Sequence, residues 1–154
     1  MSAKPFASLD LVLPDGWERA GAAPGGPLLQ AMAPDDDGFR SSVTVDLYEG
    51  VGTDPAVGSI ADFHEGQLAD LLRTMTDALI VDEAQVEAGG MPAITSTIAF
   101  RQGFWTITAR VWTIQAPGCA VSIVGLCDAD RIAVDSPMFD AMIESMQLEP
   151  LAGV

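Results

Sequence analysis

His64 is the single histidine among 154 residues, so a multi-histidine metal site or a relay between two imidazoles has no residues to build it. No serine stands in the Gly-x-Ser-x-Gly turn that exposes a hydrolase nucleophile. His64 itself reads as a solvated side chain on the polar face of a helix. Neither the Gly-x-Gly-x-x-Gly fingerprint after a strand nor the phosphate-binding Gly-x-x-x-x-Gly-Lys-Ser/Thr loop occurs, which removes the usual dinucleotide and nucleotide cradles. Asp35-Asp36-Asp37-Gly38 is acidic but lacks the spaced ligands and closing Glu of a calcium loop, so it reads as a turn. Asp128 and Asp130 flank Ala129 just before a helical pattern, where short acidic side chains satisfy free backbone N–H groups. The expectation is no catalytic residue, no cofactor and no metal, hence no enzyme. A hydrolase using isolated carboxylates such as Asp128 or Glu65 would need two of them buried together.

Cys119 and Cys127 share one strand-like run and one parity, which separates them by about 26 Å at ~3.3 Å per residue, too far for a disulfide. They read as small buried hydrophobes. Three tryptophans carry the largest contact areas available: Trp17 and Trp105 are expected in the core. Trp112 shares its strand face with Thr106, Thr108 and Arg110, and it is the leading partner-binding candidate together with Arg110, Phe104 and Ile114. Met75, Met138, Met142 and Met146 fall in helical patterns and suit gap-filling in the core.

The elements that must position these residues can be read in order. Phe6 to Leu13 alternates weakly and ends at Pro14-Asp15-Gly16, with Trp17 following as an anchor. After a small-residue loop from Gly21 to Pro27, Leu28 to Ala33 and Phe39 to Tyr48 form two strands joined by a turn from Pro34 to Gly38. Ile60, Phe63, Leu68, Leu71, Leu72 and Met75 then recur at helical spacing behind a Ser59/Asp62 capping pair. Ile80 to Ala88, Ala93 to Arg101, Phe104 to Gln115 and Cys119 to Cys127 are separated by Gly or Pro breaks, the pattern of a four-stranded antiparallel meander. A last helix is expected from Ser136, with Pro137 in its first turn and a stripe of Met138, Phe139, Met142, Ile143 and Met146. The class is α+β: one domain over 1–154 with an antiparallel sheet of about six to seven strands flanked by two helices. Both faces of the meander carry apolar residues, and two helices are few to cover them, so an apolar patch is expected to remain.

Seven Lys and Arg against 22 Asp and Glu give a net charge of −15, which repels phosphate backbones and anionic headgroups and argues against nucleic acid as a partner. No segment has the length and apolarity to insert into a membrane, and the first residues lack the pattern of a signal peptide, so a cytoplasmic protein is expected.

The Pro14-Asp15-Gly16-Trp17 turn, the Asp37-Gly38-Phe39 turn into Val43-Thr44-Val45, the mid-chain helix, Gly90-Met91-Pro92-Ala93 and the closing Phe139 to Leu148 segment together resemble the PsbP-like superfamily, nearest in look to its actinobacterial LpqN-type proteins. That resemblance implies an α/β/α sandwich. It also implies a non-enzymatic role, since proteins with this fold include adaptors, secretion-effector chaperones, accessory subunits and a Ran-binding import factor. The leading expectation is therefore a protein-binding adaptor, chaperone or accessory protein that uses an apolar sheet face, with self-association as a homodimer as a corollary. The alternative is a module that binds an apolar small molecule between sheet and helix.

Overall fold

A computed structural model describes residues 8–20, 27–34 and 38–149. The expected loop over 21–26, the acidic tip Asp35-Asp36-Asp37, and Phe6 and Ala7 of the first expected strand lie outside the described residues.

Nine strands and two helices follow one another as β1 (Ser8–Asp10), β2 (Glu18–Arg19), β3 (Leu29–Met32), β4 (Ser42–Glu49), α1 (Ile60–Thr74), β5 (Thr76–Ala88), β6 (Met91–Gln102), β7 (Trp105–Ala116), β8 (Cys119–Asp128), α2 (Ile132–Glu144) and β9 (Gln147–Glu149), among the described residues. The main sheet has seven strands in the order β2-β3-β4-β8-β7-β6-β5, each pair antiparallel, and β1 pairs with β9 in a separate two-stranded ribbon. The four-stranded meander is present as expected, and its turns carry it. Gly89 and Gly90 sit at φ of +57° and +81°, a pair of left-handed conformations that closes a two-residue hairpin and that side chains with a Cβ resist.

Helix α1 starts where the sequence places it. The Ser59 hydroxyl accepts from the Asp62 N–H at 3.2 Å and the Asp62 carboxylate accepts from the Ser59 N–H at 3.4 Å, so both halves of the capping box are made. Ser59→Ala is expected to cost about 1 kcal/mol, read as a lowered urea midpoint with an unchanged denaturant slope.

The last helix differs from expectation. It begins at Ile132 rather than at Ser136, and Pro137 lies inside it. The entry is made upstream: Asp128 accepts from the Asp130 N–H at 2.9 Å and opens a single 3-10 turn, Ala129–Arg131, that runs straight into α2. The Asp128 carboxylate thus serves the backbone, as its position suggested, with the Asp130 N–H as its donor.

Alternation along the strands splits the core in two. Val43, Val45, Trp112, Ile114, Val121, Ile123 and Cys127 face α2, where Phe139, Met142, Ile143 and Met146 close over them with Leu11. Ile98, Phe100, Ile107, Ala109 and Val111 face α1 and meet Leu68. Gly125 on β8 allows a close approach on the α2 side, because a Cβ there would lie 2.9 Å from the Phe139 ring. The sheet is thus covered by a helix on each face. Among the described residues no helix is long and apolar enough to cross a membrane.

Candidate binding surface

Coverage fails on one margin. β5 ends the sheet order, pairs only with β6 among the described strands, and runs for 13 residues. Only Ala88 of these is buried, and Ala78 is intermediate. Leu79, Ile80, Val81 and Val86 are 59%, 41%, 58% and 37% exposed. Two register shifts, between Thr76 and Leu79 and between Ile80 and Asp82, bend the strand within its ladder with β6. A long apolar edge strand is a ready template for another chain, and proteins usually shorten or cover it.

Between β5 and α1 lies a groove of about 530 Å³, whose apolar wall is formed by Leu68, Leu72, Ile80 and Ile94. The charged residues lining it are Glu65 and Glu83. His64 forms part of its lining, and the imidazole is 2% exposed, so the sequence-based placement on a polar helix face is corrected. The reason is on the opposing sheet, where Ser96 of β6, Thr113 of β7 and Ser122 of β8 interrupt the apolar pattern beneath α1. His64 Nδ1 lies 2.7 Å from Thr113 Oγ1 and Nε2 lies 2.8 Å from Ser96 Oγ, while Gln67 Nε2 donates to Ser122 Oγ at 2.7 Å.

The proton positions in this layer follow from its end. Ser96 Oγ donates to Glu83 Oε2 at 2.9 Å, and a carboxylate offers only acceptor sites. Ser96 must then accept from His64 Nε2–H, and His64 Nδ1 must accept from the Thr113 hydroxyl. Burial holds the His64 pKa below its ordinary value, with the Glu83 charge opposing in part. This arrangement cannot activate Ser96 as a nucleophile, because the imidazole gives Ser96 a proton rather than taking one. What it does is orient the Glu83 carboxyl at the groove.

The four sequence-predicted partner residues do not form one surface. Trp112 is 2% exposed and Ile114 fully buried, both under α2, which corrects the expectation that they face a partner. Trp112 meets the Phe139 ring edge-on with centroids 6.4 Å apart. The Arg110 guanidinium lies 4.4 Å from the Trp112 ring centroid and donates to Ser136 Oγ at 2.9 Å and to Asp140 Oδ1 at 2.6 Å. The side chains chosen for binding a partner instead bind the closing helix of the same chain. Phe104 alone is free, at the β6–β7 turn, and its neighbour Trp105 is 41% exposed beside Phe39 rather than in the core. Trp17 packs, partly buried, against the α2-side cluster as expected.

Burial pushes the Cys119 thiol up to about 11 and Cys127 up to about 12, aided by Glu49 beside the first and by Asp135 and Asp128 beside the second. Both are free and buried, which suits inert core residues. Asp135, the one buried carboxylate among the described residues, is held by Ser41 and Arg131. Among the described residues no group of three or more His, Cys, Asp or Glu is placed to hold a metal.

No family model matches the sequence, and no curated protein matches it. Solved structures do. LpqN of Mycobacterium tuberculosis, involved in cell envelope biogenesis, superposes with a TM-score of 0.65 at 15% identity, covering 96% of this chain and 87% of that one. The cyanobacterial PsbP of Synechocystis superposes at 0.64 with 15% identity over 92% of this chain and 86% of that one. The fold is PsbP-like. A protein of unknown function from Pseudomonas aeruginosa, PA94, also superposes on this chain, at a TM-score of 0.64 with 11% identity, covering 94% of this chain and all of that one. At such identities the likeness extends to the order of strands and helices, not to their surface residues.

Proposed function

We propose that this PsbP-like domain is a non-catalytic accessory protein that captures a protein partner along the uncovered margin of its sheet, at β5 and the adjoining α1 groove. The observation that carries the reading is the exposure of four apolar side chains, Leu79, Ile80, Val81 and Val86, on one 13-residue edge strand, while the middle of the sheet is covered by α1 and α2. The direction of the His64–Ser96 hydrogen bond, which leaves Ser96 unactivated beside the groove, supports a binding role. The apolar sheet face first expected to bind is therefore replaced by a sheet edge.

A photo-crosslinking residue introduced at Val81 is expected to trap a protein in the source cell, whereas one at Val134, 66% exposed on the distant helix α2, is not. Equal trapping from both positions, or none from Val81, would sink the reading. The groove volume of about 530 Å³ favours a second reading, an apolar small molecule held by Leu68, Leu72 and Ile94, since small-molecule pockets run roughly 300–1,000 Å³. Native mass spectrometry of the purified protein separates the two: a retained small mass that competes with the crosslinked protein would establish the second.

A further inference from the structure

The charge on β5 indicates what kind of chain fits it. Asp77, Asp82, Glu83 and Glu87 make the strand acidic, it contains no Lys or Arg, and on the paired strand β6 the one basic residue, Arg101, lies opposite Thr76 at one end. A second copy is a poor occupant. In full antiparallel overlap centred on the strand, Asp82 would face its own symmetry mate and Asp77 would face Glu87 twice, and like charges directly opposite are destabilising. The same acids that repel a copy attract an opposite chain.

We propose, on the footing of the accessory-protein reading, that the free edge of β5 receives an extended segment alternating basic and apolar residues as an eighth strand, with one Lys or Arg side chain seated on Glu83. Backbone hydrogen bonds along the edge supply sequence-independent attraction, and alternate side chains supply selectivity. Glu83 is suited to be the seat. It is half exposed, it lies on the groove side of the strand opposite Ser96, and its Oε2 is fixed by the Ser96 hydroxyl at the end of the Thr113–His64–Ser96 chain. An anchored carboxylate loses little freedom when a cation arrives. Glu65 across the groove adds a second negative charge, and Ile80, Leu72 and Leu68 offer apolar contact to the neighbouring side chains.

The test uses the full chain and two end-capped synthetic peptides, one alternating Lys with Val and one alternating Glu with Val, followed by fluorescence anisotropy and amide hydrogen exchange. The Lys peptide is expected to bind and to protect β5 amides, and the Glu peptide not to bind. Glu83→Gln is expected to weaken the Lys peptide about tenfold, while Glu87→Gln, which removes the same charge near the strand end, weakens it about twofold. Equal binding of both peptides, equal losses from the two variants, or protection away from β5 would overturn the proposal. So would a dimer in sedimentation that Val81→Lys dissolves, since the occupant would then be a second copy. Crosslinking from Val81 to a cellular protein without Lys-peptide binding would leave the accessory reading standing and the basic strand refuted. Peptide binding with no protein trapped would do the reverse.

Discussion

Phe139→Ala is expected to destabilise the domain by about 3–5 kcal/mol, a large share of the roughly 5–15 kcal/mol that holds a domain of this size together. The ring is 1% exposed and lies on Gly125 of β8 on one side and the edge of Trp112 on the other. Its loss opens a cavity in the middle of the larger core. The complementary change, Gly125→Ala, puts a methyl 2.9 to 3.1 Å from three atoms of that ring and is expected to cost about 1–3 kcal/mol by overpacking. The pair should not add: in the double variant the new methyl enters the space the ring has left, so the combined loss is expected to fall short of the sum by about 1 kcal/mol or more. Urea unfolding of the four proteins measures this. Additive losses would mean that the ring does not rest on the glycine.

Much of this core was legible from short-range chemistry. The capping box fixes the start of α1, and the Gly or Pro breaks at Gly89-Gly90, Gln102-Gly103 and Pro117-Gly118 cut the meander into its four strands. Strand parity puts Ile107, Ala109 and Val111 on the face opposite Trp112 and Ile114, and the two sets lie in separate core clusters. Parity does not say which positions lie beneath a helix. Trp105 sits at the hairpin end beyond α1, and Trp112 sits mid-strand beneath α2, so their expected roles were exchanged. Pro137 pointed to a helix start because proline suits the first turn, but the chain enters the helix further upstream, through the 3-10 turn that Asp128 caps and that runs into α2 at Ile132. The β1–β9 and β4–β8 pairings join distant segments and leave no local mark.

The binding margin was the least legible part, because an edge strand is defined by a neighbour it lacks. β5 was expected as Ile80 to Ala88, whereas the strand follows α1 almost directly at Thr76, and it is this added length that exposes Leu79. A signal for His64 did exist. It stands four, seven and eleven residues before Leu68, Leu71 and Met75, on the apolar stripe itself, and Ser96, Thr113 and Ser122 mark the polar spots on the sheet that receive His64 and Gln67.

That placement makes His64→Ala the second large effect. The variant loses the buried ring and leaves the Thr113 hydroxyl without its acceptor and Ser96 without its donor, an expected cost of about 2–4 kcal/mol near pH 7.5. The cost should shrink on acidification. Burial lowers the folded pKa of His64 beneath the ~6.5 of the unfolded chain, so below ~6.5 the unfolded state holds more of this proton and wild-type stability falls with pH until the folded value is passed. Above ~6.5 the group contributes no slope. Glu83 is the charged group nearest the ring, 4.0 Å away, and it limits the drop because its charge favours the imidazolium; the facing groups on β6 and β7 are neutral hydroxyls. Asp46, raised by its own burial, has an opposite slope at lower pH, but it is present in both proteins and cancels in the difference. The wild-type and variant stability curves are therefore expected to converge as the pH falls below ~6.5. Parallel curves across that range would mean that the folded ring takes up its proton as readily as the unfolded one, and the directed chain from Thr113 to Glu83 could not then be in place.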